Sequence, residues 1–180
     1  MRIRIAGRAI QFISLFERLT GVFPRDCVIN KGGNEIIFVV QSNQMGKVIG
    51  KGGTRITRLR EELARDVRVI QHANSPELYV ANALKPARIQ KAIVEKFEGK
   101  QVLRVIVASD WEKSRVVGRQ GQNINRARLL LRRYFGIRNI LVTVQPDQLK
   151  PNDKYSEEIF VADASHSYPN FSPMGPEKVC

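Results

Sequence analysis

Residues 45–63, MGKVIGKGGTRITRLREEL, decide how this chain is organised, because a second version of them, KSRVVGRQGQNINRARLLL, follows at residues 113–131. A shift of 68 residues pairs the two segments and aligns glycines with glycines, apolar with apolar and basic with basic positions. The same shift places the apolar residues 36–40 over residues 104–108. This repetition indicates two copies of one unit of roughly 70 residues, near the smaller end of what folds alone.

Hydrophobic periodicity predicts the same order of elements in both units: helix, strand, strand, short helix, glycine segment, helix and strand. For the first unit we expect a helix over residues 9–20, strands over 27–31 and 35–41 joined at Gly32, Gly33 and Asn34, a short helix ending near Ile49, a helix over 54–65 and a strand over 67–71. For the second we expect a helix capped by Ser75 and ending near Leu84, strands over 89–97 and 101–108, a short helix capped by Asp110, a helix over 123–135 and a strand over 139–144.

The charge of the chain is unevenly distributed. The whole sequence has a net charge of +13, but residues 1–145 hold 27 Lys and Arg against 11 Asp and Glu. Residues 146–180 hold three basic and six acidic residues and five of the eight prolines, so we expect a mobile tail there. A body this basic favours a polyanionic partner, and nucleic acid is favoured over anionic lipid because no basic amphipathic run has a large apolar face.

Several classes of function are not supported by the sequence. The longest apolar run is the five residues 36–40, which predicts neither a membrane span nor a secretion signal, and the cytoplasm is the expected compartment. Cys27 and Cys180 match neither a disulfide framework nor a thiolate metal cluster. His72 and His166 are interpreted as ordinary surface residues, and no nucleophile, base and acid are grouped by their local sequence. We therefore expect no catalytic residue, no metal, no cofactor and no enzymatic activity.

The two glycine segments, residues 50–53 and 118–121, carry the most specific chemistry. Each is predicted between two helices, so that its backbone amides and those of the following helix point outward and suit a phosphodiester. Lys51 and Arg119 add mobile positive charge there. One such segment alone would favour a tight helix-to-helix turn, whereas two in matching contexts favour phosphate contact. Neither a P-loop nor a dinucleotide-binding glycine motif fits the spacing.

Base recognition is predicted in a groove between the second helix of each pair and the neighbouring strand. Its apolar floor is expected to include Val48, Ile49 and Ile56 in the first unit and Val116, Val117 and Ile124 in the second. The arginines of the second helices fit either a solvated face or RNA backbone contact, and their repetition favours contact. Cys27 is expected to pack in a strand, and Trp111 to serve as a core or cap residue in preference to a stacking platform. The predicted RNA-binding residues are Ile49, Gly50, Lys51, Gly52, Gly53, Arg55, Ile56, Arg58, Gly118, Arg119, Gln120, Gly121, Asn123 and Arg126.

The segments VIGKGG at residues 48–53 and VVGRQG at 116–121 resemble those of KH domains. The order with helix and hairpin first implies the type II arrangement, an α+β fold with two layers in which a three-stranded sheet is backed by helices. The resemblance implies a first KH domain at residues 1–72, a second at 75–145 and the tail at 146–180. ANALKPA at residues 81–87 and VGRQGQNI at 117–124 are similar to the second KH unit of the NusA family, and the resemblance covers about residues 1–145.

This resemblance implies two KH domains packed into one rigid body that binds extended single-stranded RNA, the nascent transcript, during transcription elongation and termination. The chain is expected to start at the first KH helix, without the polymerase-binding and S1 domains of bacterial NusA, as in the short archaeal members. Contact with RNA polymerase therefore stays open. Two alternatives are a tandem-KH factor in ribosomal RNA processing or ribosome biogenesis, and a polymerase-tethered scaffold that docks proteins on its KH pair.

Overall fold

The computed structural model describes residues 7–30, 35–97, 99–145 and 159–160. The first unit contains α1 (Gly7–Thr20), β1 (Asp26–Asn30), β2 (Glu35–Val40), α2 (Met45–Ile49), α3 (Thr54–Leu63) and β3 (Asp66–Gln71). The second contains α4 (Pro76–Ala83), β4 (Lys91–Phe97), β5 (Lys100–Val107), α5 (Asp110–Val117), α6 (Gln122–Phe135) and β6 (Asn139–Val144). A two-residue strand, β7 (Ile159–Phe160), follows, and short 3-10 turns precede α2, α3 and α6.

The predicted order of elements is confirmed in both units, and the bounds of β6 coincide with the prediction. Ser75 caps α4 as expected, because its hydroxyl accepts a hydrogen bond from the amide of Leu78 at 3.3 Å. The cap of α5 was predicted one residue too late: Ser109 accepts from the amide of Glu112 at 3.3 Å, and Asp110 is the first helical residue. The turn predicted at residues 32–34 lies outside the described residues.

Each unit is built on a mixed sheet with the same topology. In the first, β2 lies between an antiparallel β1 and a parallel β3; in the second, β5 lies between an antiparallel β4 and a parallel β6. The α+β prediction is therefore confirmed. The second sheet carries one strand more than predicted, because β7 pairs antiparallel with β6 through Phe160 opposite Leu141 and Ile159 opposite Val142. Apart from these two residues, the predicted mobile tail lies outside the described residues.

The first sheet is covered on both faces. All six residues of β2 are buried, which explains why the sequence reads as an uninterrupted apolar run there. Ile36, Phe38 and Val40 point to a core shared with α1 and α3. In that core the ring of Phe38 stacks on Phe16 of α1, with ring centroids 4.3 Å apart. This face of the first sheet and the helices that cover it therefore form a two-layer unit.

The opposite face of the first sheet is covered by helices of the second unit. Ile37 and Val39 share one core with Tyr79 of α4 and Leu130 of α6. The same core contains the inward residues of β5, such as Val105, so α4 and α6 form a helical layer between the two sheets. The described residues thus form four layers: α1 and α3, the first sheet, α4 and α6, and the second sheet. The two repeats are joined by one continuous core.

Two ion pairs fix α6 on the first sheet. Arg126 meets Glu35 at the start of β2, with Nη2 2.7 Å from Oε1. Arg133 meets Asp26 at the start of β1, with Nε 2.6 Å from Oδ2, and Tyr134 donates its hydroxyl to the same oxygen at 3.0 Å. The two arginines are two helical turns apart, about 10 Å along the axis, which matches the spacing of the two acids along the hairpin to within a residue.

Three further findings concern the thiol of Cys27, membrane-spanning helices and metal sites. Cys27 is buried in β1, as expected, and burial raises the pKa of its thiol to about 12. Within residues 7–30, 35–97 and 99–145, no helix combines the length and apolar character needed to cross a bilayer. In the same ranges no three His, Cys, Asp or Glu side chains are grouped so as to hold a metal ion.

Candidate nucleic-acid interface

The two glycine loops, defined as residues 50–53 and 118–121, have nearly the same backbone. Gly50 and Gly118 both lie at φ 75°, ψ 173°, a conformation essentially restricted to glycine. The third positions, Gly52 and Gln120, are both left-handed, with φ 62° and 50°. A non-glycine residue keeps this conformation in the second loop, so the shape is imposed by the flanking helices and not by glycine alone.

A side chain from the following helix locks each loop at the same place. Arg55 donates from Nη1 to the carbonyl of Lys47 at 2.9 Å, and Asn123, its repeat equivalent, donates from Nδ2 to the carbonyl of Arg115 at 2.8 Å. Both acceptors belong to the last turn of the preceding helix, whose carbonyls have no helical partner. Arg55 and Asn123, predicted as RNA-binding residues, therefore also close the loops from inside.

The locking side chains explain the first glycine of each loop. A Cβ on Gly118 would lie 2.7 Å from Cγ of Asn123, and a Cβ on Gly50 would lie 2.9 Å from Cγ of Arg55. These distances are shorter than real Cβ contacts allow. The absence of a side chain at these two positions is therefore required both by backbone angle and by space.

Each loop is a tight turn that leads directly into a helix. The amide of Gly53 closes the first turn on the carbonyl of Gly50 at 3.2 Å, and Gly121 does the same on Gly118 at 3.1 Å. No side chain caps α3 or α6; the first amide of each helix, that of Thr54 or Gln122, instead donates to the carbonyl of Lys51 or Arg119 within the loop. The positive end of each helix dipole therefore lies at a glycine loop, which favours an anion there.

Basic side chains surround the loops to different degrees. Lys51 and Arg119 are exposed at the tips, as is Gln120 beside Arg119. Arg58 is exposed on α3, where its Nε lies 3.2 Å from Glu62 in a surface pair. A surface pair of this kind contributes little to stability, so the guanidinium can exchange its partner for a phosphate at small cost.

One predicted contact residue is corrected by the structure. Arg126 is only 2% exposed and is committed to Glu35, so it is not available to a bound strand. Its repeat equivalent Arg58 is exposed because none of the described strands packs on that face of α3, whereas α6 packs on the first sheet. Arg58 and Arg126 thus occupy equivalent positions of the repeat but differ in role, because α6 of the second unit covers the first sheet.

The predicted groove floor is only partly exposed. Ile49 is 40% exposed, and Ile56 and Val117 are half-buried next to the loops, so these three can contact a ligand. The other three predicted floor residues are fully buried and belong to the cores; they are Val48, Val116 and Ile124. For Val48 and Val116 the correction follows from helical geometry, because each short helix turns one of two consecutive apolar residues inward.

The structure adds one residue that the sequence interpretation placed elsewhere. Trp111, expected in the core or as a cap, is 64% exposed on α5. The guanidinium carbon of Arg115 lies 4.5 Å from the centroid of its ring. The repeat contained a signal for this exposure, because the equivalent position of the first unit is the polar residue Asn43.

His72 packs edge-on against the rings of Tyr79 and Tyr134, and burial lowers its pKa.

Comparisons with known proteins agree with this architecture. The KH domain family model matches residues 12–103, and the model of the NusA-like second KH domain matches residues 76–144. The probable transcription termination protein NusA of Halobacterium salinarum is 33% identical over 143 residues, which cover 79% of this chain and 100% of that protein. Its namesake in Halococcus morrhuae is 31% identical over 140 residues, covering 78% of this chain and 98% of that protein.

A solved structure is also similar. The crystal structure of APE1850 superposes with a TM-score of 0.68 at 30% identity and covers 77% of this chain and 99% of that chain. The two family models together reach from α1 to β6, the part of the chain in which the paired glycine loops and the paired sheets lie. The chain therefore belongs to the NusA-like family of KH-domain proteins.

Proposed function

We propose that this protein is a single-stranded RNA-binding transcription factor that acts in elongation and termination. The observation that carries the proposal is the pair of glycine loops with matching backbone, each at the start of a helix that no side chain caps. Relatives that match most of the chain are named transcription termination proteins. A basic body with two such loops suits a flexible phosphate backbone, which can follow both loops in one pass.

In the proposed mode, backbone amides and cationic side chains hold phosphates while apolar residues meet the bases. Lys51 and Arg119 neutralise phosphates at the loop tips, and Ile49 and Ile56 offer an apolar surface beside the first loop. Phosphate contacts position the strand, and base edges and faces supply any sequence preference. Arg126 is left out, because it supports the interface between units.

The proposal also assigns a role to each of the two units. Residues 1–72 and 75–145 act as first and second KH domains, held in one body by the shared helical layer. The protein works in the cytoplasm on the nascent transcript, without catalysing a reaction, and RNA polymerase is an additional partner to be tested. The names of the relatives reported above do not favour the alternative role in ribosomal RNA processing.

The test is to crosslink the protein to RNA in cells and to sequence what it binds. Fragments from nascent transcripts across many genes are expected; fragments from pre-ribosomal RNA alone would overturn the proposal. The matched control is a variant with both loops altered, Lys51→Asp, Gly52→Asp, Arg119→Asp and Gln120→Asp, which should recover little RNA. A polymerase complex that survives nuclease treatment and these substitutions would instead favour the protein-docking scaffold.

A further inference from the structure

A tryptophan stands exposed beside the second glycine loop. Trp111 is the only tryptophan of the chain and is 64% exposed at the second position of α5. A single exposed apolar side chain needs no explanation by itself. What distinguishes Trp111 is its surroundings, because it lies in the same depression as the loop.

The depression is formed along one face of α5. Trp111, Arg115 and Gly118 line it, with Arg119 and Asn123 from the loop and the next helix, and Pro86 and Ala87 on the other wall. Positions 111, 115 and 118 follow the spacing that puts residues on one side of a helix. The helical rise places the α carbons of Trp111 and Gly118 about 10 Å apart. One strand can therefore reach both the indole and the loop.

Arg115 holds the indole in a defined position. Its guanidinium lies over the ring, donates from Nη2 to the carbonyl of Pro86 at 3.3 Å, and lies 3.7 Å from a carboxylate oxygen of Glu112. With the cation on one face and most of the ring exposed, the indole offers its free surface to a planar ligand. Because the ring is already held, stacking on it costs little additional side-chain entropy.

We propose that Trp111 and Arg115 form a stacking shelf for one unpaired nucleobase of the strand whose phosphates lie on the second loop. The inference rests on the proposed function and extends it. Every base has a π face that stacks on an aromatic ring, and an arginine beside the ring adds a cation–π attraction to the assembly. The neighbouring Arg119 and loop amides supply the positive surroundings that a polyanionic strand requires.

The shelf belongs to the second unit alone. The equivalent position of the first unit is Asn43, which has no ring to stack on. The two loops are otherwise nearly alike in backbone, so the shelf makes the binding surface asymmetric. A strand bound across both units then has one preferred direction, with its stacked base at the second loop.

The test uses Trp111 itself as the reporter. Titration with a short unstructured RNA should quench the emission of the single tryptophan, and a series of the same RNA with one abasic site at successive positions should lose the quenching at one position. Trp111→Leu should weaken binding roughly 5- to 150-fold, the range for loss of one stacked base, and Trp111→Phe should weaken it less. Phe97→Leu, at a half-exposed aromatic ring on β4 of the same unit, is the matched control and should bind as the wild type does.

The outcomes separate the shelf from the proposed function. If RNA binds but the emission is unchanged and Trp111→Leu binds equally well, the shelf is wrong while RNA binding stands. If inorganic polyphosphate quenches the emission as RNA does, the base is not needed and the shelf is also wrong. If the wild-type protein binds no RNA, both proposals fail. Thermal unfolding of the Trp111 variants should match the wild type, because the exposed ring contributes little to the core.

Discussion

The guanidinium of Arg126 meets the carboxylate of Glu35 side-on, although the two residues belong to different repeats. Nε donates to both carboxylate oxygens at 2.9 and 3.0 Å, and Nη1 donates to Asn123 at 3.1 Å. The arginine is 2% and the glutamate 5% exposed. The same arginine therefore holds the first sheet and the residue that locks the second glycine loop. This pair connects the interface between units to the candidate binding site.

Breaking this pair should destabilise the whole protein. Arg126→Met leaves the Glu35 carboxylate buried without its main partner, and we expect a loss of about 3–5 kcal/mol in the free energy of unfolding. Chemical denaturation followed by circular dichroism measures it. Arg58→Met, at the same repeat position but exposed, is the control and should change stability by about 0.5 kcal/mol or less. Equal effects of the two substitutions would contradict the buried role of Arg126.

Acidic residues in the loops should weaken RNA binding without unfolding the chain. In Lys51→Asp with Gly52→Asp, or Arg119→Asp with Gln120→Asp, a cation is replaced by charges that repel phosphate, and we expect affinity to fall about tenfold in each pair. Fluorescence anisotropy with labelled RNA measures affinity, and circular dichroism checks the fold. Wild-type affinity in both paired variants would refute phosphate binding at the loops.

The dependence of affinity on salt should reveal the number of phosphate contacts. If about five phosphates are neutralised, the logarithm of the binding constant should fall with the logarithm of salt concentration at a slope of about −3.5, from −0.7 per contact on a single strand. The variant with Lys51→Asp and Gly52→Asp should show a shallower slope than the wild type. A flat response would mean that phosphates do not lead the interaction.

The first glycine of the second loop should not tolerate a side chain. Gly118→Ala places a Cβ 2.7 Å from Asn123 and forces alanine into a glycine-only conformation, so we expect a cost of about 1–3 kcal/mol and weaker RNA binding. Gly46→Ala, inside α2 with nothing within 4 Å of the added carbon, is the matched control and should be neutral or stabilising by about 0.5–1 kcal/mol. Retention of full stability by Gly118→Ala would contradict this geometry.

The buried thiol of Cys27 should respond to pH only at the alkaline end. Burial and the neighbouring Asp26 raise its pKa to about 12, with Arg133 acting in the opposite direction. Because the thiol ionises near pH 9 in the unfolded chain and only near 12 in the folded one, its contribution to stability is present below pH 9 and is lost as the pH rises toward 12. In a Cys180→Ser variant, iodoacetamide at pH 8 should label Cys27 only on unfolding; rapid labelling of the native protein would count against the burial.

Local patterns predicted most of the fold. The shift of 68 residues identified both units, and the strand at residues 139–144 was located without error, because alternation and turn residues are local signals. The cap at Ser109 was missed by one residue, since Asp110 is an equally good capping residue type. The contribution of β7 was not predicted, because a two-residue strand leaves no period to detect.

The candidate site was harder to predict, because exposure depends on what the second unit covers. Arg126 was misassigned since repetition aligned it with Arg58, and only the packing of α6 on the first sheet separates them. The uninterrupted apolar run of β2 was the one signal that a second layer covers that sheet. Trp111 was misplaced because aromatic residues are usually buried, although Asn43 at the equivalent position indicated a solvent-facing site.

The helical layer between the two sheets also has a consequence for biosynthesis. On the ribosome the first sheet is completed when β3 emerges, whereas α6, which covers it, is made much later. Until then Val28, Ile37 and Val39 face water on the nascent polypeptide, an apolar surface of the kind that chaperones bind. The first unit thus reaches its mature form only after the second unit has been translated. Expressed or released by proteolysis alone, it would expose this apolar surface and tend to aggregate.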